Sequence, residues 1–577
     1  MTIKDLFNTL PFLPSWARSS PKIGYAIYTI EAILVLLTGL YLYMWTWQEY
    51  TLPYKNLRGP KTAHWFWGNV KTFLAEQPMV PHGRWIKEYG PTFRYKVIAG
   101  APRFYTADPV ALSYILNHAD IFPKPPQTRK GMADMLGNGV LVAEGADHKR
   151  QRRLLNPSFS PLAIKGMIPI FYDKAYELRE KFTALIEDEH SGVGAASPTP
   201  PQEMDIVKGT RKIDVMSWLG RCTLDVIGLA GFNYDFKALE EPHNELAEAY
   251  RKMFSAGMEV TVGAILQALF PVLQIFPTER MKMVKESSAK TKEIGQKLID
   301  EKKQAILAAH THGIEKKEDI GHDLLSHLIK ANMASDLRPD QKLSDDEVLA
   351  QITTFMLAGN ETSSTALTWI LYTLSQHPDA QKRLREEAMG VSDDRPTLDT
   401  LNSLSYMDAV IREVLRLSAP APATMRESIQ PTVVPLGTPV KGRDGKMMDS
   451  VHLPKGATMM IPILNVNTSI YVWGPDAEQF NPDRFLKPTA SESNTSVPGV
   501  WGNLLTFLGG TRNCIGYRFA LAEIKVILFV LIRGFEFEEL PSKPEIERKA
   551  SVVMRPRVKG EEKAGLQMPL LVRPLSN

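Results

Sequence analysis

The chain has 577 residues, 44% hydrophobic and 23% charged, a composition that fits one large or two ordinary globular domains and excludes a mostly disordered or collagen-like chain. A formal net charge of +4 is small for this size, and no long Lys/Arg block with interleaved aromatics occurs, so no nucleic acid is expected as a partner. The two cysteines, Cys222 and Cys514, rule out a disulfide framework, a four-cysteine iron–sulfur cluster and a Cys-rich zinc site, and point to a reducing compartment.

Residues 1–23 precede an almost wholly apolar run, 24–47, which as a helix would reach about 36 Å and predicts one transmembrane span. Tyr41, Tyr43, Trp45 and Trp47 crowd its end as interfacial rings do, and Glu31 is its irregularity. A buried core helix is the bland alternative, and the run is too long for a cleaved signal peptide. Lys4, Arg18 and Lys22 before the span balance Lys55, Arg58 and Lys61 after it, so flanking charge leaves topology open. Residues 48–60, with LPYKNLRGP punctuated by Pro and Gly, read as a hinge, and 61–577 as the folded body.

In the body, helical periodicity over 161–189, 205–229, 281–310 and 344–376 outweighs strand patterns at 91–97 and 568–572. The fold class is therefore mainly α with a smaller β part. Residues 191–202, SGVGAASPTPPQ, predict an exposed loop. Gly192 and Gly194 there do not make a dinucleotide fingerprint, because no strand precedes them. Cys222, on an apolar helical pattern, reads as a small core residue.

The most informative segment is FLGGTRNCIG, 507–516, followed by a helical pattern. Its glycines, Gly516 among them, permit tight turns and close approach to a flat partner, and they place Cys514 just ahead of a helix N-terminus, where the dipole favours thiolate, the metal-binding form. Arg512 carries a charge suited to a carboxylate of a bound group, and Phe507 can shield the sulfur. Taken alone, a buried inert cysteine beside a Gly-rich turn remains open.

Phe507, Gly510, Arg512, Cys514 and Gly516 stand at the spacing of the haem-binding signature, and here the sequence closely resembles the cytochrome P450 superfamily, in particular its fungal, microsomal, membrane-anchored members. The likeness runs from about Pro53 to the end. AGNETSS, inside the apolar helical run 348–375, resembles the family's long helix across the haem; the likeness implies that Ala358 and Gly359 open room for dioxygen and that Glu361 and Thr362 relay protons. A Thr bonding back to a carbonyl and a Glu paired with an Arg would be the structural alternative there. Glu413 and Arg416, with Arg484 of NPDRF, resemble the family's buried charged network, and Trp473, Gly474, Asp476 and Ala477 its WGPDA stretch. GADHKRQRRLL resembles the helix whose Trp and Arg reach the haem propionates: Arg152 matches the Arg, while His148 departs from the usual Trp. Arg426 matches a further propionate-binding arginine, and Lys149, Arg150 and Arg153 would lie near a reductase-docking surface.

The resemblance implies a monooxygenase with haem b (iron protoporphyrin IX) held by an axial Cys514 thiolate. It would use O2, a hydrophobic small-molecule substrate of terpenoid or sterol-like type, and electrons from a separate NADPH-cytochrome P450 reductase on the same endoplasmic reticulum membrane, with the body in the cytosol. The sequons at Asn467 and Asn494 would then stay unglycosylated. Segments expected to line the pocket, 132–142, 254–270 and 352–358, are largely Met, Phe, Leu, Ile and Val. The alternatives are an isomerase or dehydratase acting on a hydroperoxide, and a non-catalytic haem sensor or lipid carrier.

Overall fold

A computed structural model describes residues 21–43, 48–187, 197–240, 248–250, 253, 263, 278–311, 323–333, 337–486, 497–550 and 552–575. Helix α1 (Pro21–Leu42) covers most of the expected span, and residues 44–47 lie outside the described set. Ile33, Leu34, Val35, Leu36 and Leu37 are consecutive and all exposed, so the helix shows apolar surface on every side.

The segment after α1 is fixed to the body. Leu52, Tyr54 and Leu57 are buried, and the Arg94 Nε donates to the Leu57 carbonyl at 3.1 Å. Glu49 pairs with Arg94, with Lys96 at 3.1 Å and with Arg443 at 2.9 Å. Gly59 touches the strand so closely that a Cβ there would lie 1.8 Å from the Arg94 carbonyl oxygen. Proline and glycine here break helix geometry while the apolar residues between them fasten the chain down.

Strands β1 (Thr92–Lys96) and β2 (Pro102–Thr106) pair antiparallel and begin a four-stranded sheet. Helix α2 (Gly145–Leu155) follows, then α3 (Pro161–Glu187). Residues 205–229 divide into strand β3 (Arg211–Asp214) and helix α4 (Val215–Phe232), because Gly209 turns the chain at φ +73° and β3 then pairs with the C-terminal strand. Although α4 is apolar enough by composition to cross a membrane, 67% of it is buried, and it is a core helix. Cys222 lies within it, fully buried, its thiol 3.5 Å from the Lys174 carbonyl oxygen.

Helix α5 (Glu279–Thr311) precedes α6 (Asp345–Gln376), the long central helix. A capping box starts α6: the Ser344 hydroxyl accepts from Glu347 N–H at 3.2 Å, and the Glu347 carboxylate accepts from Ser344 N–H at 3.0 Å. Asp345 and Asp346 in the first turn suit the helix dipole, and His377-Pro378 ends it. Helix α7 (Ser405–Leu417) leads to β4 (Thr424–Glu427), the hairpin β5 (Thr432–Lys441) and β6 (Met447–Leu453), and β7 (Thr458–Ile461). The first sheet has the order β1-β2-β7-β4.

Helix α8 (Tyr517–Gly534) is buried along nearly its whole length. The chain ends in β8 (Phe535–Glu538), β9 (Ile546–Ala550), β10 (Met554–Val558) and β11 (Pro569–Pro574), with sheet orders β3-β11-β8 and β10-β9. Burial concentrates in one cluster among α3, α4, α6, α7 and α8 and a second beneath the first sheet. The architecture is mainly α with a smaller β part. Within 191–202, residues 191–196 lie outside the described set, as do Asn494 and 254–270 apart from residue 263.

Candidate active site

The Cys514 loop is shaped by contacts that leave no room for side chains. A Cβ on Gly509 would lie 1.5 Å from the Pro498 carbonyl oxygen, and one on Gly510 would lie 2.2 Å from the Leu116 carbonyl oxygen, where φ is also +65°. The Cys514 N–H donates to the Phe507 carbonyl at 2.9 Å, closing the loop, and Gly516 caps α8. Phe507 packs edge-on against Trp501, with centroids 5.5 Å apart. The sulfur-bearing side chain keeps accessible surface. Burial of the loop pushes the thiol up; the Gly516 N–H and Arg152 pull the other way but are outweighed, contrary to the lowering expected from the helix N-terminus alone.

Opposite this loop, α6 is buried from Val348 to Leu357 and again from Ser363 to Leu371, while Ala358–Thr362 keep accessible surface. Phe159 joins the two features: it lies 3.5 Å from where a Gly516 Cβ would stand, and its ring centroid is 5.4 Å from that of Phe355, one turn before Ala358. Helical periodicity divides the expected lining. Ile352 and Met356 turn to a small apolar pocket beside Phe232 and Tyr250. Gly359 turns to α4, where a Cβ would lie 2.9 Å from Ile227, so its missing side chain serves helix approach. Asn360 accepts from the Thr223 hydroxyl of α4 at 2.6 Å. The Thr362 hydroxyl donates to the Ala358 carbonyl at 2.6 Å, and Glu361 pairs with Arg555 at 2.7 Å. Burial pushes the Glu361 carboxyl up, and Arg555 draws it back.

Around the loop, cations gather. Arg426 on β4 is 2% exposed, and burial lowers it to about 10. Burial also lowers Arg512 to about 10, with Arg129 adding repulsion. Lys124 is driven well below its usual value by burial and by Arg512, Arg426 and Arg129. His148, buried on α2, falls to about 4 through burial, Arg152 and Lys124, so it is neutral with one N–H to donate. Arg152 binds Asn513 through its carbonyl at 2.6 Å and through its side chain. Against these cations stands Glu144, bound to Arg512 and 3.5 Å from Lys124. One carboxylate does not balance them, and buried charge needs compensation. Lys124, Glu144, Asn513 and Arg555 were not singled out from the sequence. The last had a local signal, since Arg555 and Arg557 share one face of a strand.

The charged network in the helical core is present. Glu413 and Arg416 have no exposed surface, Arg484 donates to Glu413 at 3.0 Å and pairs with Asp476 at 2.9 Å, and Arg416 lies over the Trp473 ring. Asn467 is 1% exposed and accepts from Leu505 N–H at 2.8 Å, which bars glycosylation in the folded chain. On the basic face of α2, Lys149 and Arg153 are exposed, but Arg150 is bound to Glu347 at the start of α6.

These features define a mainly helical protein with an accessible thiol on a loop of close-packed glycines beside a cluster of buried cations. The cytochrome P450 family model matches residues 58–561. Cytochrome P450 monooxygenase 128 of Postia placenta is 40% identical, covering 97% of each chain. Cytochrome P450 monooxygenase 205 of the same fungus is 40% identical over 91% of this chain and 93% of its own. Cytochrome P450 monooxygenase claQ of Ampulloclitocybe clavipes is 34% identical, over 90% and 92%. The chain belongs to the cytochrome P450 family and is an enzyme of its monooxygenase class. The family implies a haem with a cysteine thiolate ligand, O2, a redox partner and a hydrophobic substrate. The donor set fits that cofactor: an accessible thiol at a loop of close-packed glycines, and an excess of buried cations for two propionates.

Proposed function

We propose that this enzyme inserts one atom of O2 into a hydrophobic small molecule of terpenoid or sterol-like type, by hydroxylation or epoxidation, while the other atom leaves as water. The observation that supports the reading best is the accessible Cys514 thiol on a loop of close-packed glycines, beside the buried cations Arg426, Arg512 and Lys124. Haem b, held there by the Cys514 thiolate, would supply O2 activation. Arg152, Arg426, Arg512 and the neutral His148 would hold the propionates, and Phe507 would shield the sulfur. Ala358 would leave space for dioxygen on the accessible side of α6, and Glu361 with Thr362 would relay protons toward the reacting centre. Phe355 and Ala358 present apolar surface to the substrate.

Electrons come from a separate NADPH-cytochrome P450 reductase, docking near the exposed Lys149 and Arg153. Residues 24–47 are the single-pass anchor, supported by the apolar exposure of α1 on all sides; 48–60 join it to the catalytic domain 61–577, which faces the cytosol from the endoplasmic reticulum. The test is a reconstitution of purified protein with reductase and candidate lipophiles under isotopically labelled dioxygen, read by mass spectrometry. One labelled oxygen per product, dependent on NADPH and reductase, is expected. Product formed from a hydroperoxide without either would overturn the reading, as would a reduced carbon monoxide complex lacking a strongly red-shifted Soret band.

A further inference from the structure

Two side-chain amides with no exposed surface, Gln151 of α2 and Gln351 of α6, are paired in the interior. The Gln351 Nε2 donates to the Gln151 Oε1 at 3.0 Å and to the Glu347 carbonyl at 3.2 Å. The Gln151 Nε2 donates to the Asn138 carbonyl at 2.9 Å and to the Glu347 carboxylate at 3.1 Å. The Gln351 Oε1 accepts from the Val140 N–H at 2.9 Å. Each amide nitrogen therefore uses both hydrogens, and each oxygen accepts a bond. Desolvation offsets most of what such bonds return, so a buried and fully satisfied amide pair contributes chiefly by specifying one arrangement of the chains it joins.

The chain it holds runs between the two halves of the site. Gly137 and Gly139 lie flat on α6: a Cβ on Gly137 would stand 2.9 Å from the Ala350 Cβ, and one on Gly139 would stand 2.7 Å from the Thr354 hydroxyl. Thr354 is about one turn before Ala358 and shares its face of α6. The chain then turns, with the Val142 and Ala143 N–H groups each 2.9 Å from the Gly139 carbonyl. At the other end the Ala143 carbonyl accepts from Arg512 of the Cys514 loop at 2.7 Å. Residues 137–143 thus rest on α6 at one end and on the Cys514 loop at the other, with the apolar Val140, Leu141 and Val142 between. The glutamines hold the α6 end through backbone groups of Asn138 and Val140, so the hold does not depend on which side chains the segment carries.

We propose that Gln151 and Gln351 are positioning residues for substrate orientation: their amide bridge fixes 137–143 as one wall of the space between Cys514 and Ala358, and so limits how a hydrophobic guest can lie there. The proposal rests on the reading that haem occupies the Cys514 site.

The experiment uses the haem-loaded full chain and phenyldiazene. Its phenyl group binds iron and, on mild oxidation, moves to the porphyrin nitrogens that have open space beside them. The proportions of the N-phenylporphyrin isomers then report where the walls stand. In Q351L and in Q151L an isomer that is scarce in the wild type should rise by about fivefold, the change expected for losing one or two net hydrogen bonds. The double variant should do no more than either single one, because each already removes the same bridge. Unchanged proportions in both single variants, with the red-shifted carbon monoxide complex intact, overturn the proposal, as do effects that simply add in the double variant. Should a leucine variant not load haem, Q351M and Q151M, which keep length and volume without the amide, give the same decision. Absence of that complex in the wild type would refute the haem-thiolate reading instead.

Discussion

The Arg416 guanidinium lies against the Glu413 carboxylate with Nε and Nη2 each 2.8 Å from one oxygen, and neither side chain has exposed surface. Arg416 also donates to the carbonyls of Asn467 at 3.0 Å, Gln479 at 3.1 Å and Ala477, so removing the acid strands a buried cation among backbone acceptors. E413A should cost about 3–5 kcal/mol or prevent folding. D399A, which breaks the exposed Lys165–Asp399 pair, should change the denaturation midpoint little. Equal effects in chemical denaturation would contradict this ranking.

G509A and G510A should each lose the red-shifted carbon monoxide complex, because their Cβ atoms meet backbone carbonyls that cannot step aside. G131A, where a Cβ meets nothing within 4 Å, is the control and should retain it.

The surplus of cations around Glu144 predicts that Lys124 and Arg426 both retain the cofactor. K124M and R426Q should speed haem transfer to a haem-free globin by about tenfold or more, as expected for losing one charge-assisted hydrogen bond. Unchanged transfer in both variants would remove these residues from the propionate site.

What could be read from the chain was what is local. The Cys514 loop declares itself because its glycines, arginine and cysteine fall within ten residues, and α6 because helical periodicity runs through 344–376. The resemblance carried Glu413, Arg416 and Arg484, which do meet in space. Glu361–Arg555 and Arg512–Glu144 were not legible, since each joins residues far apart with no periodicity linking them. Strand β3 was absorbed into a helix because its partner β11 lies at the other end of the chain. In LPYKNLRGP the Pro and Gly were legible, whereas the burial of Leu52, Tyr54 and Leu57 was not, since it depends on contacts with distant strands.

Burial in α8 raises Glu523 to about 8, with Ser363 acting weakly against it. The unfolded chain releases that proton near 4.5 while the folded chain keeps it to about 8, so stability falls as pH rises between those values, by up to about 1.4 kcal/mol per pH unit. E523Q should lack this slope. Denaturation midpoints that fall in parallel for E523Q and wild type across this range would refute the assignment.

His82 lies stacked between Phe73 at 4.7 Å and Tyr105 at 5.2 Å, with both ring nitrogens lacking hydrogen-bond partners, and burial lowers it to about 3. Below the ordinary histidine value of 6.5 the unfolded chain takes up a proton that the folded chain refuses, so this residue weakens the fold as pH falls from there toward 3. H82F should raise the denaturation midpoint in mild acid and leave it nearly unchanged above neutrality. A midpoint gain independent of pH would show that packing alone is responsible.

The three-way grip of Glu49 on Arg94, Lys96 and Arg443 has an orienting effect. From Glu49 onward the chain is riveted to the first sheet, so the segment that follows the apolar helix meets the body in one fixed direction. If that helix is a membrane anchor, as proposed above, this ion cluster would set the tilt of the folded body against the bilayer.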